Sequence, residues 1–188
     1  MGQPVRKRDA TYADIVAAPP HLVAEIVEGE LMLSPRPSGQ HAGVETGMVI
    51  DVGGCFGRRS GGWWIVAEIE LHLGRAVVVP DVSGWRRTRM PSPPQGPFQT
   101  LAPDWVCEIT SPASAGDDRI RKLRIYRGAG VGHVWLADPM ARTLEVFRHA
   151  DDGYVQVQGW QGDERVRAEP FESEEFDLAE WWPPVVEP

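Results

Sequence analysis

Cysteine is nearly absent from this chain: its 188 residues include two, Cys55 and Cys107, which form no C-x-x-C pair. That excludes a disulfide framework or a cysteine zinc cluster and fits a reducing, cytoplasmic setting. Long apolar runs are missing as well. None approaches the roughly 18 residues of a membrane span, and Met1 to Asp9 is basic and polar with no signal-peptide core behind it. The protein is therefore expected to be neither secreted nor membrane-anchored. Positive charge is the third deficit. A net charge of −8 argues against coating nucleic acid by bulk electrostatics, which draws on a positive field. Positive residues do cluster at Arg86, Arg87 and Arg89, and again across Arg119, Arg121, Lys122, Arg124 and Arg127. Each cluster reads either as a local binding patch or as a solvated loop and helix face. No internal repeat is visible. The length suits one domain over residues 1–188, with a core about 11–165 and an acidic closing segment 166–188, and it can bury roughly 70% of the unfolded surface without staples.

Thr11 with Asp14 forms a capping pattern, so Tyr12 to Ala17 is predicted as a short helix ended by Pro19 and Pro20. Leu22 to Val27 and Glu30 to Leu33 flank Glu28-Gly29 as a hairpin, in which Gly29 can supply the positive φ of a tight turn. The spacing of Val44, Met48, Val49, Val52 and Phe56 predicts a helix from Ser38 to about Phe56, weakened by Gly43, Gly47, Gly53 and Gly54. Trp63 to Leu73 and Ala76 to Val79 read as two antiparallel strands, the second ending at Pro80-Asp81. Residues 90 to 103, with five prolines, read as a loop. Asp104 to Thr110 is a strand that stops at Ser111-Pro112, followed by a helix over 116 to 129 and a strand over His133 to Ala137. Thr143 to Arg148 and Tyr154 to Gln161 form a hairpin, and Glu169 to Glu180 is a peripheral segment docked by Trp181 and Trp182.

Two carboxylates stand out in this pattern. Asp81 ends an apolar strand, and Glu108 lies inside another, where alternation puts Val106, Glu108 and Thr110 on one face and Trp105, Cys107 and Ile109 on the other. Burying an unpaired charge costs several kcal/mol, so Glu108 requires a cationic side chain or a metal ion. On the following helix, Lys122 falls between Tyr126 and Ala129, within the arc of Leu123 and Ile120, and points inward; Arg121, Arg124 and Arg127 fall on the solvated arc. A strand-helix-strand unit packs that helix back over Glu108. Two carboxylates and a lysine at the ends of adjacent strands are the parts of magnesium-dependent phosphodiester hydrolysis: oxygen ligands hold a hard cation, and the lysine orients or deprotonates the attacking water. A buried Glu108–Lys122 salt bridge accounts for both residues without any chemistry, and that alternative stays open.

The ordered series Val79-Pro80-Asp81-Val82, Val106-Cys-Glu108-Ile-Thr-Ser111-Pro112, Asp118-x-x-x-Lys122-x-x-x-Tyr126-x-x-x-Gly130-Val131 and Val134-Trp135-Leu-Ala-Asp138-Pro139 resembles the bacterial Uma-type endonuclease family. The openings Glu25-Ile-Val-Glu-Gly-Glu-Leu31 and Ser34-Pro-Arg-Pro-Ser-Gly-Gln-His41 are similar to that family as well, so the likeness runs from about 11 to 180. The family is assigned to the PD-(D/E)XK nuclease superfamily. The resemblance implies a restriction-endonuclease-like α/β fold, a mixed central sheet flanked by helices with an N-terminal helix and hairpin. It also implies a divalent metal, Mg²⁺ or Mn²⁺, on Asp81 and Glu108. Thr110 stands where the superfamily places its lysine, and Lys122 takes over from the following helix. His41 matches a family histidine, and either a catalytic role or an N-terminal helix position accounts for it. Glu68 and Glu70 precede Asp81, where one can face the site or both can lie on a solvated edge.

The resulting expectation is an endonuclease acting on nucleic acid, DNA foremost, through Asp81, Glu108, Lys122 and His41, with the polynucleotide near Arg86 to Arg89. A homodimer would follow by analogy with nucleases that pair two sites on a duplex. The competing expectation is a non-catalytic domain of the same fold that binds nucleic acid or protein, with Asp81, Glu108 and Lys122 as a structural ion network. A serine or cysteine hydrolase lacks its parts: Ser111 has no G-x-S-x-G elbow, and His21, His72, His133 and His149 show no metal-ligand spacing.

Overall fold

A computed structural model describes residues 6–58, 61–110 and 117–184. Its elements in chain order are β1 (Arg6–Arg8), α1 (Tyr12–Val16), β2 (Leu22–Val27), β3 (Glu30–Pro35), α2 (Gly39–Phe56), β4 (Trp63–Ala67), β5 (Glu70–Leu73), β6 (Ala76–Val78), β7 (Val82–Arg86), β8 (Phe98–Gln99), β9 (Trp105–Ile109), α3 (Asp117–Ala129), β10 (His133–Asp138), β11 (Thr143–Ala150), β12 (Gly153–Gln161), β13 (Arg165–Val166) and β14 (Phe176–Asp177). A 3-10 turn, Leu178–Glu180, follows. One sheet runs β1-β3-β2-β6-β5-β8 and the other, which carries the site, β12-β11-β10-β9-β7-β4.

The site-bearing sheet is mixed. β9 and β10 are parallel and joined through α3, whereas β7 and β9, like β10 and β11, are antiparallel. Alternation along β9 divides the core as its sequence requires. Trp105, Cys107 and Ile109 pack with Val44, Met48 and Val52 of α2, while Val106 packs with Tyr126 of α3 and with Val27 and Leu71 of the other sheet. The layers are thus α2 on one face and α3 with the second sheet on the other. Ser38 caps α2 by accepting from the His41 N–H, and Thr11 with Asp14 forms the capping box of α1. The β2–β3 turn sets Glu28 and Gly29 at φ of 52° and 81°.

Several expectations are corrected. Trp63 to Leu73 is not one strand: Glu68 takes a φ of 46°, and the chain crosses from β4 in one sheet to β5 in the other, so only β5 and β6 form the expected antiparallel pair. β7 was hidden because Ser83 and Gly84 weaken its strand character; Gly84 is required there by the rings of Trp105 and Trp63, which lie 3.0 and 3.3 Å from where a Cβ would stand. The proline-rich loop contains β8, paired with β5, and the basic start contains β1, paired with β3. The C-terminal segment is not peripheral, because Phe171, Phe176, Leu178, Trp181 and Trp182 are all part of the buried core. Arg121 is not solvated, for the β2–β3 hairpin covers that side of α3: Arg121 pairs with Glu28 at 2.9 Å and Glu30 at 3.1 Å and donates to the Val27 carbonyl at 2.7 Å. Ile120, placed on the inward arc, is exposed. The Ser111-Pro112 stop lies outside the described residues.

Candidate functional site

Asp81 immediately precedes β7, and Glu108 is the penultimate residue of β9. Because the two strands are antiparallel, with Val82 opposite Cys107, the start of one meets the end of the other and Asp81 sits one step beyond the last pair, level with Glu108. The Asp81 carboxylate is held from both layers. Its Oδ2 accepts the Ile109 backbone N–H at 2.6 Å, and its Oδ1 lies 2.7 Å from His41 Nε2, delivered by the first turn of α2. His41 therefore occupies an N-terminal helix position and also reaches the site.

Glu108 is held from the α3 side. Lys122 Nζ lies 3.2 Å from its Oε2, and the Tyr126 hydroxyl, one turn further along α3, donates to its Oε1. Lys122 is inward-pointing and buried, as its place on the helix required. It is shared with a carboxylate that received no site role from the sequence, although it begins the family-like opening motif: Glu25 of β2 lies 2.9 Å from Nζ and also accepts the Val79 N–H at 2.8 Å. A charge inside an otherwise apolar strand is the feature that marked Glu108, and Glu25 carries the same mark. Burial pushes the Glu108 carboxyl upward, with Asp81 and Glu25 adding to the rise, and Lys122 and the Tyr126 hydroxyl offset only part of it.

A second carboxylate absent from the expectations is Glu45, one helical turn after His41 on α2. Ligand atoms of His41, Glu45 and Asp81 all lie within 4.8 Å of one another. Burial, then the charges of Asp81 and Glu68, push the Glu45 carboxyl up to about 7. For His41 burial acts to lower the pKa, but the Asp81 hydrogen bond and charge, together with Glu45 and Glu108, outweigh it and leave the imidazole raised. These groups crowd negative charge into one corner, where a divalent cation would relieve it.

Of the remaining candidates, Glu68 stays near the site, where its charge acts on Glu45, and the others fall elsewhere. Glu70 turns to His72, 2.6 Å away, and Glu68 is exposed, its N–H bonded to the Asp81 carbonyl. Thr110 places its hydroxyl 3.3 Å from the Ala137 carbonyl. Arg86 lies at the far end of β7 from Asp81, about 16 Å along the strand. It stacks on Trp63, Arg87 stacks on Trp64 and donates to the Trp63 and Gly57 carbonyls, and Arg89 pairs with Asp104. The arginines expected beside the polynucleotide are thus away from the carboxylates and engaged in holding the β4–β7 end of the sheet.

Among solved structures, the chain is similar to a protein from Anabaena variabilis described as a "putative nuclease belonging to DUF820". The TM-score is 0.77 at 21% identity, over 92% of this chain and 97% of that one, which establishes a shared fold of the restriction-endonuclease-like class. No curated protein matches. The family profile Uma2, described as "Putative restriction endonuclease", matches residues 10–179. Because that profile covers most of the chain, including every residue of the Asp81–Glu108–Lys122 cluster, the chain belongs to the Uma2 family.

Proposed function

We propose that this protein is a divalent-metal-dependent endonuclease that hydrolyses phosphodiester bonds of nucleic acid, with DNA as the substrate and the cytoplasm as the setting. The observation that carries the reading is the convergence of Asp81, Glu108 and Lys122 at one end of adjacent strands, with Lys122 Nζ 3.2 Å from Glu108 and the residue after Glu108 bonded to Asp81. The donor set fits a divalent cation: Asp81 is common to two carboxylate groupings, Glu108 on the α3 side and Glu45 with His41 on the α2 side. When bound, such an ion supplies positive charge against the phosphodiester and makes a water molecule more acidic.

The chain's own residues supply the rest. Lys122, between Glu25 and Glu108, is a fixed ammonium whose position is set by two carboxylates, so its part is to orient water and offset phosphate charge. Tyr126 fixes the other oxygen of Glu108, and the Ile109 N–H and His41 together fix the rotamer of Asp81. A homodimer would bring two such corners to one duplex, and sedimentation of the protein on DNA reads that directly.

The second reading, a binding domain with a structural ion network, draws on one observation: both oxygens of Glu108 are already engaged by Lys122 and Tyr126. Calorimetric titration of Mg²⁺ and Mn²⁺ into the wild type and Asp81→Ala, with plasmid nicking on the same samples, separates the two. The nuclease reading expects metal heat and nicking in the wild type and neither in the variant. Absence of metal binding by the folded wild type would leave the ion network as the account.

A further inference from the structure

Glu108 belongs to a row of residues that crosses the site-bearing sheet on its α3 side. Leu136 of β10 stands opposite Glu108 in one direction and opposite Glu145 of β11 in the other, and Glu145 in turn stands opposite Gly159 of the edge strand β12. The two carboxylates are thus two strands apart on one face, about 10 Å. Each meets a cation from α3. Lys122 covers Glu108, and Arg119, one turn earlier on the same helix, places Nη2 2.8 Å from Glu145 Oε2. A cavity of about 30 Å³ is lined by Glu108, Thr110, Arg119, Lys122 and Tyr126, and an open cleft of about 630 Å³ has Glu145 and Gly159 in its wall. The Arg119–Glu145 pair therefore stands between the Glu108 corner and the free surface of β11 and β12.

That pair is loosely held. Its side chains are 33% and 30% exposed, and an ion pair so open to water adds little to stability. Only one nitrogen of the guanidinium takes part, so Nε and Nη1 of Arg119 have no hydrogen-bond partner among the described residues. A phosphate accepts two parallel N–H bonds from one guanidinium, which the single Glu145 contact does not provide. We propose that Arg119 binds a phosphate of the polynucleotide next to the one at Lys122, and that Glu145 holds the guanidinium until that phosphate displaces it. The proposal rests on the nuclease reading of the Glu108 corner and adds the path of the strand, from that corner across β10 and β11 toward β12. Glu145 has room to turn aside, because Gly159 opposite it carries no side chain. The Phe147 ring, its centroid 5.8 Å from the guanidinium carbon, leaves Arg119 an aromatic neighbour once Glu145 has gone.

The test measures the affinity of the full chain for a short fluorescein-labelled DNA duplex by anisotropy over a salt series, with plasmid nicking on the same samples. Arg119→Gln is expected to weaken binding about tenfold and to lower the salt slope by about one, whereas Glu145→Gln tightens binding about threefold or more. Arg119→Lys keeps the slope of the wild type, because the charge remains. In the Arg119→Gln background the Glu145→Gln gain is expected to vanish, which separates release of Arg119 from a general loss of negative charge. Urea unfolding of each variant confirms that it is folded. Single variants that move affinity in the same direction, an Arg119→Gln variant that binds as the wild type does, or a Glu145→Gln gain that persists without Arg119 overturns the proposal and leaves the nuclease reading in place. A wild type that neither binds the duplex nor nicks plasmid with Mg²⁺ or Mn²⁺ overturns both.

Discussion

Lys122 illustrates how much of this site rests on single residues. Its ammonium balances Glu25 and Glu108, both largely withdrawn from water, with side-chain exposures of 6% and 15%. Lys122→Met would leave those carboxylates facing each other across an apolar side chain, and it is expected to cost about 3–5 kcal/mol in urea unfolding. Adding Glu25→Gln to that variant should restore part of the loss, because one uncompensated charge is gone; a double variant no more stable than the single one would mean that Glu25 is not part of the balance. Alternation and helical phase picked out Glu108 and Lys122, but the same phase put Ile120 inward and Arg121 outward, and only the family resemblance attached a role to the pair. Glu25 and Glu45 were not singled out, since their relevance depends on which strand or helix the chain brings against Asp81.

At the scale of elements, β7 matters most and was least visible. Val82-Ser83-Gly84-Trp85-Arg86 has neither clean alternation nor strong strand propensity, yet it lies between β4 and β9 and sets Asp81 level with Glu108. Its Gly84 is a packing requirement: a Cβ would stand 3.0 Å from the Trp105 ring, 3.1 Å from Ile65 and 3.3 Å from the Trp63 ring. Gly84→Ala is expected to destabilise by about 1–3 kcal/mol through overpacking. It should also lower the metal affinity of the folded protein, because β7 is what positions Asp81. Unchanged urea midpoints would show that those rings yield freely. The helices were easier to read, since their apolar stripes and caps act within one segment, as Ser38 and the Val44, Met48, Val52 series do in α2.

For the whole molecule, the acidic C-terminal segment is a structural clasp. Trp181 is 2% exposed, its indole N–H reaches Asp51 of α2 at 2.7 Å, and its ring lies against Phe176 and Trp135. Trp181→Ala is expected to cost about 3–5 kcal/mol, read as a fall in the thermal midpoint, and a loss of only a few tenths would return the segment to the periphery. The same region gives a pH dependence. His133 is 3.4 Å from Glu169; burial lowers its pKa, the Glu169 hydrogen bond and charge act against this, and Arg148 and Arg86 reinforce the fall. A histidine depressed in the folded state contributes stability above its unfolded value, near 6.5, that is lost as pH falls toward the folded one. His133→Gln should therefore lose less stability than the wild type between about pH 7.5 and pH 5, and parallel pH curves for the two proteins would contradict this.

Local rules settled the helices, the β2–β3 hairpin, the division of β9 into two faces and the inward turn of Lys122, because periodicity, capping and turn chemistry act between residues close in the chain. They also marked Asp81 and Glu108, since a carboxylate at the end of an apolar strand or within one stands out wherever it is placed. Only the tertiary structure decided which groups meet those carboxylates. Glu25 reaches Lys122 because a second sheet covers α3, Glu45 reaches Asp81 because α2 crosses the opposite face, and Arg86 to Arg89 leave the site because β7 runs away from it. Such contacts join residues tens of positions apart, and sheet order rather than local spacing determines them.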